Sequence, residues 1–203
     1  MTGHYYSKDP DVKSDERSWS FELRQKTFTF ISDRGVFSKK EIDFGSRLLI
    51  ESFVMPQISG PLLDVGCGYG PIGITVASIE GNREVHMVDV NERALDLAKK
   101  NATANQVTNV QVYQSDRLSE VHLQNFAAIL TNPPIRAGKQ VVHDIFEQAY
   151  DHLVKGGELW VVIQKKQGAP SALEKIKAIY GNVEVVNKKK GYLILCAKKI
   201  DSV

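Results

Sequence analysis

Cysteine is scarce in this chain of 203 residues: only Cys67 and Cys196 occur. Two are too few for a disulfide scaffold, and their spacing is not that of a metal motif. Both read as buried thiols in a reducing cytosol. No run of 18 apolar residues exists, so no transmembrane helix is expected. The opening residues, Met1 to Pro10, are polar and lack the apolar stretch of a signal peptide, which points to a cytoplasmic protein. Internal repeats and low-complexity segments are also missing. Strong charge of one sign is absent too, since 26 Lys and Arg face 24 Asp and Glu. Composition alone therefore names no polyanionic partner. The balance is uneven, however, with a net −3 over residues 61–134 and a net +5 over residues 135–203. The basic last third either faces a polyanion or is a soluble surface with lysine-rich edge strands.

What is present follows two rhythms. Residues 1–18 are polar and charged and read as an extended arm. Trp19 to Leu23 and Thr27 to Ile31 then alternate with period two, which predicts a hairpin, and Asp33-Arg34-Gly35 is a turn signal. A helix is expected from about Phe44 to Val54. This region, 19–60, reads as an extension to a catalytic core over 61–203. From Leu62 strands and helices alternate. Strands are predicted at 62–65, 85–90, 110–113, 126–130 and 159–163, with helices at 72–79, 92–105, 142–153 and 173–180. Gly156-Gly157 reads as a helix stop. Val183–Val186 and Tyr192–Ala197 are joined by too few residues for a helix, so this last pair must be antiparallel. The expected fold is α/β: a Rossmann-like, seven-stranded, mostly parallel sheet with helices on both faces, a C-terminal antiparallel hairpin and a small N-terminal β-hairpin. Asp64 and Gly66, Asp89, Asp116 and Asn132 lie at or after successive strand ends, so they should meet on one rim.

Leu62 to Gly73 reads LLDVGCGYGPIG. An apolar strand stops at Asp64-Val65, and glycines follow at 66, 68 and 70. Closely spaced glycines let the backbone approach a ligand, and the helix start that follows presents free N–H groups. Gly68, Gly70 and Gly73 formally match a dinucleotide fingerprint, with Asp89 in place of its ribose-binding acid. The register opposes that reading. Counted from the strand end, the third required glycine is Pro71. An Asp-x-Gly-x-Gly-x-Gly pattern from Asp64 fits strand end and spacing together.

Leu63 to Gly70 resembles the first motif of class I S-adenosylmethionine-dependent methyltransferases. Val88-Asp89-Val90-Asn91 resembles their second motif, and Gln114-Ser115-Asp116 their third. The resemblance implies that Asp64, Gly66, Cys67, Gly68 and Gly70 line the methionine end of S-adenosylmethionine. It implies that Asp89 with Val90 meets the ribose, and that Asp116 with Arg117 meets the adenine. On charge grounds, nearby acids favour a cofactor that carries a sulfonium and an ammonium.

Asn132-Pro133-Pro134-Ile135 ends the fourth strand of the series. A delocalised exocyclic or amide nitrogen is a poor nucleophile. The Asn132 side-chain oxygen and a following carbonyl could hold its two N–H groups for in-line transfer, which is positioning catalysis. The motif resembles that of amino-methyltransferases acting on adenine N6, guanine N2 or the glutamine amide. Ile135 stands where that family has an aromatic, so another ring, or the apolar face of Ile135, would have to meet the flipped planar group. Residues 19–198 are most similar to bacterial 16S rRNA guanine-N2 methyltransferases of the small-domain family, through Gly35 to Ser38, Asp43 to Ser46, Gly138 and Gly156 to Leu159. Longer members carry an additional N-terminal copy, for which this chain has no room. The resemblance implies that Phe37 and Ser46 help close the cofactor pocket, that Asn132 also borders the cofactor, and that ribosomal RNA or the small subunit is the partner. No metal is expected. Phosphate contacts would fall to Arg136, Lys139, Lys165 and Lys166, while Lys188–Lys190 reads as a solvated turn. A protein-glutamine methyltransferase, an adenine-N6 enzyme and a non-catalytic RNA-binding module remain alternatives.

Overall fold

A computed structural model describes residues 15–33, 41–79 and 81–200. Strands β1 (Arg17–Leu23) and β2 (Lys26–Ser32) form an antiparallel hairpin, followed by helix α1 (Phe44–Ser52). The chain then runs β3 (Leu62–Val65), α2 (Pro71–Ala77), β4 (Val85–Asp89), α3 (Glu92–Ala104), β5 (Val110–Gln114) and β6 (Phe126–Thr131). It continues through α4 (Lys139–His152), β7 (Leu153–Gln164), α5 (Ala169–Tyr180), β8 (Glu184–Lys189) and β9 (Tyr192–Lys198). The large sheet has seven strands in the order β5-β4-β3-β6-β7-β9-β8. β3 to β7 pair in parallel, and β9 is antiparallel to both β7 and β8. This is the expected Rossmann-like arrangement.

Alternation along the strands builds two cores. Leu63, Ile129, Leu159 and Val161 face α4 and α5. Leu62, Leu130, Trp160 and Val162 face α1, α2, α3 and the hairpin. Both faces of the sheet are therefore covered, which is why the central strands read as continuous apolar runs.

Three local features differ from expectation. β1 begins at Arg17, inside the stretch read as an arm. Helix α4 ends at His152, not at Gly156-Gly157. Leu153 is extended and buried in the α4–α5 cluster, so the strand begins there at once. The glycines instead serve an excursion within β7, where pairing jumps from Phe126↔Leu153 to Ala128↔Glu158. A Cβ on Gly157 would lie 2.9 Å from the Val154 carbonyl oxygen. Finally, Cys67 is buried, but Cys196 is only partly so.

The hairpin is held by side chains remote in sequence. Its turn residues, Arg24 and Gln25, both have positive φ without being glycine. The Arg24 guanidinium offsets that strain by donating from Nε to the Ile50 carbonyl at 2.9 Å and from Nη2 to the Phe53 carbonyl, which caps the end of α1. On the outer edge of β2, Asn105 and Asn101 of α3 and its C-terminus replace a neighbouring strand. The Asn101 Oδ1 accepts from the Ile31 N–H at 2.7 Å, and its Nδ2 donates to the Ile31 and Tyr69 carbonyls at 3.0 and 2.8 Å. The Tyr69 bond ties the hairpin to the glycine loop.

Candidate active site

Strands β5, β4, β3 and β6 are neighbours and parallel, so Asp116, Asp89, Asp64 and Asn132 follow one another along one rim. The chain moves outward from β3 through β4 to β5, then returns to place β6 on the other side of β3. Ligands in such sheets bind where the connections diverge in this way. Here that point lies between the glycine loop and the Asn-Pro-Pro loop. Register sets Val65 beside Thr131, and the Thr131 Oγ1 donates to the Val65 carbonyl at 2.9 Å. That buried bond fixes the two loops relative to each other.

The glycine loop is built around two buried acids. The Asp64 Oδ2 accepts from the Gly73 N–H at 2.9 Å, while its Oδ1 is buried without a hydrogen-bond partner. Burial, opposed by the Gly73 bond and reinforced by Asp89, pushes the Asp64 carboxyl up to about 7. The Asp89 Oδ2 accepts from the Gly68 N–H at 2.9 Å, and its Oδ1 accepts from the Asn91 N–H at 2.9 Å. Burial pushes this carboxyl up as well. Cys67 sits beside both, and burial followed by the two carboxylates raises its thiol well above the ordinary value. These surroundings disfavour the thiolate form. A buried acid with an unfilled acceptor, next to a second acid, is an environment that a cation would relieve. Gly66 has φ +74°, and nothing lies within 4 Å of where its Cβ would stand, which leaves open space over the backbone. Gly73 has the opposite role. A Cβ there would lie 2.6 Å from the Met87 Cγ, so its absence lets α2 sit directly on β4.

The acceptor loop is built around a clamped amide. The Asn132 Nδ2 donates to the Asp43 Oδ1 at 3.1 Å and to the Ser46 Oγ at 3.0 Å. A carboxylate only accepts, so Asp43 determines which end of the amide faces it. The Asn132 oxygen is thereby turned away from α1 and kept as an acceptor. Asp43 also caps α1 by accepting from the Ser46 N–H at 3.0 Å. Pro133 is buried, and its carbonyl accepts from the Ile135 N–H at 2.9 Å with one lone pair left. The half-buried Pro134 leads into a single helical turn over Ile135–Ala137. Ile135 packs against the α4–α5 cluster and borders a cavity of about 130 Å3, shared with Lys139, His143 and Ser171.

The remaining predicted residues are spread more widely. The Asp116 carboxylate is 63% exposed and pairs with the Arg117 Nη2 at 2.9 Å, while the Arg117 Nη1 reaches Asp144 at 2.6 Å. No hydrogen bond among the described residues joins this group to Asp64 or Asp89. The Val90 carbonyl accepts from the Gln114 Nε2 at 3.1 Å and so ties the ends of β4 and β5. Ser46 is buried against Asn132, and Gly70 caps α2 with φ +99°. Arg136, Lys139, Lys165 and Lys166 are exposed. Phe37, with the rest of Gly35 to Ser38, lies outside the described residues. Sequence reasoning counted Asp43 only within the stretch that carries the family resemblance and missed its contact with Asn132, which lies 89 residues away. It also missed the aromatic pair Phe44 and Tyr192, with ring centroids 5.5 Å apart beside the Asp43 cap. A hollow of about 620 Å3 lined by Glu22, Arg24, Lys26 and Glu51 holds none of these residues. Among the described residues, no helix is long and apolar enough to cross a membrane.

Comparison with known proteins agrees with this fold. Residues 27–196 match the family model "Methyltransferase small domain". A Bacillus subtilis protein, YbxB, is 62% identical over 98% of this chain and 100% of its own length. The ribosomal RNA small subunit methyltransferase C of Vibrio cholerae is 32% identical over 93% of this chain and 55% of its own length. Among solved structures, a T. thermophilus 16S rRNA N2 methyltransferase (RsmC) in complex with AdoMet and guanosine superposes with a TM-score of 0.81. It is 26% identical over 94% of this chain and 52% of that one. The chain thus spans about half the length of the ribosomal RNA methyltransferases it matches.

Proposed function

The chain belongs to the methyltransferase small-domain family, and from that premise we propose that it methylates the exocyclic N2 amine of a guanine in small-subunit ribosomal RNA, in the cytoplasm. S-adenosylmethionine is the methyl donor. The residues present fit that group: the unpartnered Asp64 Oδ1 suits a cationic ligand, and Gly66 leaves open space over the loop. When bound, S-adenosylmethionine supplies an electrophilic methyl on a sulfonium.

In this reading Asp64 and the Gly66–Gly70 backbone, with Cys67 packed beneath, hold the methionine end. Asp89 and Val90 take the ribose, and Asp116 and Arg117 the adenine edge. Ser46 closes the pocket beside Asn132. The Asn132 oxygen and a neighbouring backbone carbonyl orient the amine N–H groups, while Pro133 and Pro134 stiffen the loop. Catalysis is then mostly positioning, without a covalent nucleophile.

The observation that carries the reading is the clamped Asn132 amide, whose one fixed acceptor stands beside the glycine-loop strand. The likeness to ribosomal RNA methyltransferases supports guanine in RNA over the other amine acceptors. The test is methyl transfer from labelled S-adenosylmethionine to small-subunit RNA and to assembled subunits, with nucleoside mass spectrometry. N2-methylguanosine is expected, with a loss of about 100-fold or more in Asn132→Ala. Label found in N6-methyladenosine or in a protein glutamine would overturn the guanine assignment.

A further inference from the structure

Five lysines gather on two adjoining segments at the rim that carries Asn132. Lys165 and Lys166 directly follow β7, and Lys188–Lys190 form the end of β8 and its turn into β9. Antiparallel pairing sets Tyr192 opposite Gln164, so the β8–β9 turn stands at the same end of the sheet as the acceptor loop. The Lys165 N–H donates to the Gly191 carbonyl at 2.7 Å and joins the two segments. All five side chains are exposed. None has an acidic partner within 4 Å among the described residues, whereas Lys100, Lys175 and Lys198 are each paired with a glutamate.

The turn itself is informative. Lys190 and Gly191 have φ of +49° and +80°, the two central positions of a tight hairpin. Asn, Asp or Gly suits the first of these, because a longer side chain resists the left-handed conformation. A lysine therefore stands where local preference favours a shorter side chain, and its charge is carried at the tip of the turn. The Lys190 Nζ lies 5.1 Å from the centre of the Phe44 ring. Phe44 directly follows Asp43, the residue that clamps Asn132. The cationic turn and the acceptor amide are therefore connected through consecutive residues at the start of α1.

We propose that Lys165, Lys166 and Lys188–Lys190 form the surface that binds the phosphodiester backbone of the RNA strand whose base is presented to Asn132. This rests on reading the site as that of an RNA methyltransferase. It replaces the expectation that Lys188–Lys190 is only a solvated turn. Phosphate binding of this kind sets register and affinity without reading sequence, and each neutralised phosphate makes binding more salt-dependent.

The experiment measures binding of a fluorescein-labelled, single-stranded 15-nucleotide fragment of small-subunit rRNA across a potassium chloride series. The proteins are wild type, Lys190→Asn, Lys188→Ala combined with Lys189→Ala, and Lys99→Ala on α3 as control. The plot of log K against log salt should flatten by about 0.7 for each phosphate that the variant no longer neutralises. At low salt, affinity should fall several-fold in the Lys190 and Lys188/Lys189 variants but not in the control. Lys190→Asn should leave the melting temperature equal to or above that of wild type, because asparagine suits the turn, so weaker binding there cannot be misfolding. S-adenosylmethionine affinity should stay unchanged, and KM for RNA should rise without a fall in kcat. If wild type binds and methylates RNA while both lysine variants keep its slope and affinity, the surface assignment is overturned. If wild type itself neither binds nor methylates RNA, the underlying reading fails and the surface falls with it.

Discussion

Replacing Asp43 by asparagine tests the central geometric argument with little disturbance to the fold. Asparagine is as good a helix cap as aspartate, so α1 should keep its first turn and the Ser46 N–H its acceptor. The change acts on the bond from the Asn132 Nδ2 to the Asp43 Oδ1, 3.1 Å long. A hydrogen bond to a charged group contributes about 1.5–3 kcal/mol, against about 0.5–1.5 for a neutral pair. A carboxylate also repels a flipped Asn132 oxygen, whereas an amide can accommodate either orientation by turning itself. The preference for the productive orientation should therefore fall by about 1–2 kcal/mol, equivalent to roughly 5- to 30-fold in rate. Single-turnover methyl transfer should show that loss in kcat, with S-adenosylmethionine affinity by calorimetry within about twofold of wild type. The same substitution in an Asn132→Ala background should have almost no further effect on kcat, because the group being oriented is gone. A full additional loss in the double variant, or an unchanged kcat in the single one, would refute the clamp.

Further expectations concern the acids and the packing around them. Asp64 must be ionised to meet a cationic ligand, and its carboxyl is raised to about 7. S-adenosylmethionine affinity should fall as the pH drops below 7, approaching tenfold per unit; an affinity flat from pH 8 to 5.5 would count against Asp64. In the cofactor-free protein this group also makes stability fall as the pH rises from about 4 to 7. The folded state there holds a proton that the unfolded chain has released. The melting-temperature gain from added S-adenosylmethionine should accordingly be larger at pH 8 than at pH 6. Asn101→Leu strands the Ile31 N–H and the Ile31 and Tyr69 carbonyls. It should destabilise the protein by about 3 kcal/mol, or roughly 10 °C in a thermal melt. Gly73→Ala places a Cβ against Met87 and should cost about 1–3 kcal/mol, with cofactor affinity falling too; a neutral effect on both would show that α2 and β4 can separate freely.

Much of the fold was legible because its signals are local. Two-residue alternation marked the β1–β2 strands, and continuous apolar runs marked strands covered on both faces. The short link between Val186 and Tyr192 left no alternative to an antiparallel ending. The helix stop placed at Gly156-Gly157 failed because glycine serves a strand excursion as readily as a helix end, and only the pairing with β6 shows which. The hairpin turn at Arg24-Gln25 carries no turn chemistry of its own. Its conformation is held by carbonyls of α1 more than twenty residues away.

The site divides along the same line. Sequence by itself determined that Asp64, Asp89, Asp116 and Asn132 stand at strand ends, and hence on one rim, because parallel strands joined by crossover helices present the same end to the same side. It also determined the glycine positions, which follow from backbone sterics alone. Tertiary structure decided the rest. The direction of the Asn132 amide depends on Asp43, 89 residues earlier in the chain. The unfilled acceptor on Asp64 depends on what is packed around it, and the Lys188–Lys190 turn reaches the acceptor rim only because β9 returns against β7. Spacing along a chain encodes periodicity and turns, whereas hydrogen-bond partners and charge neighbours exist only once distant segments have been brought together.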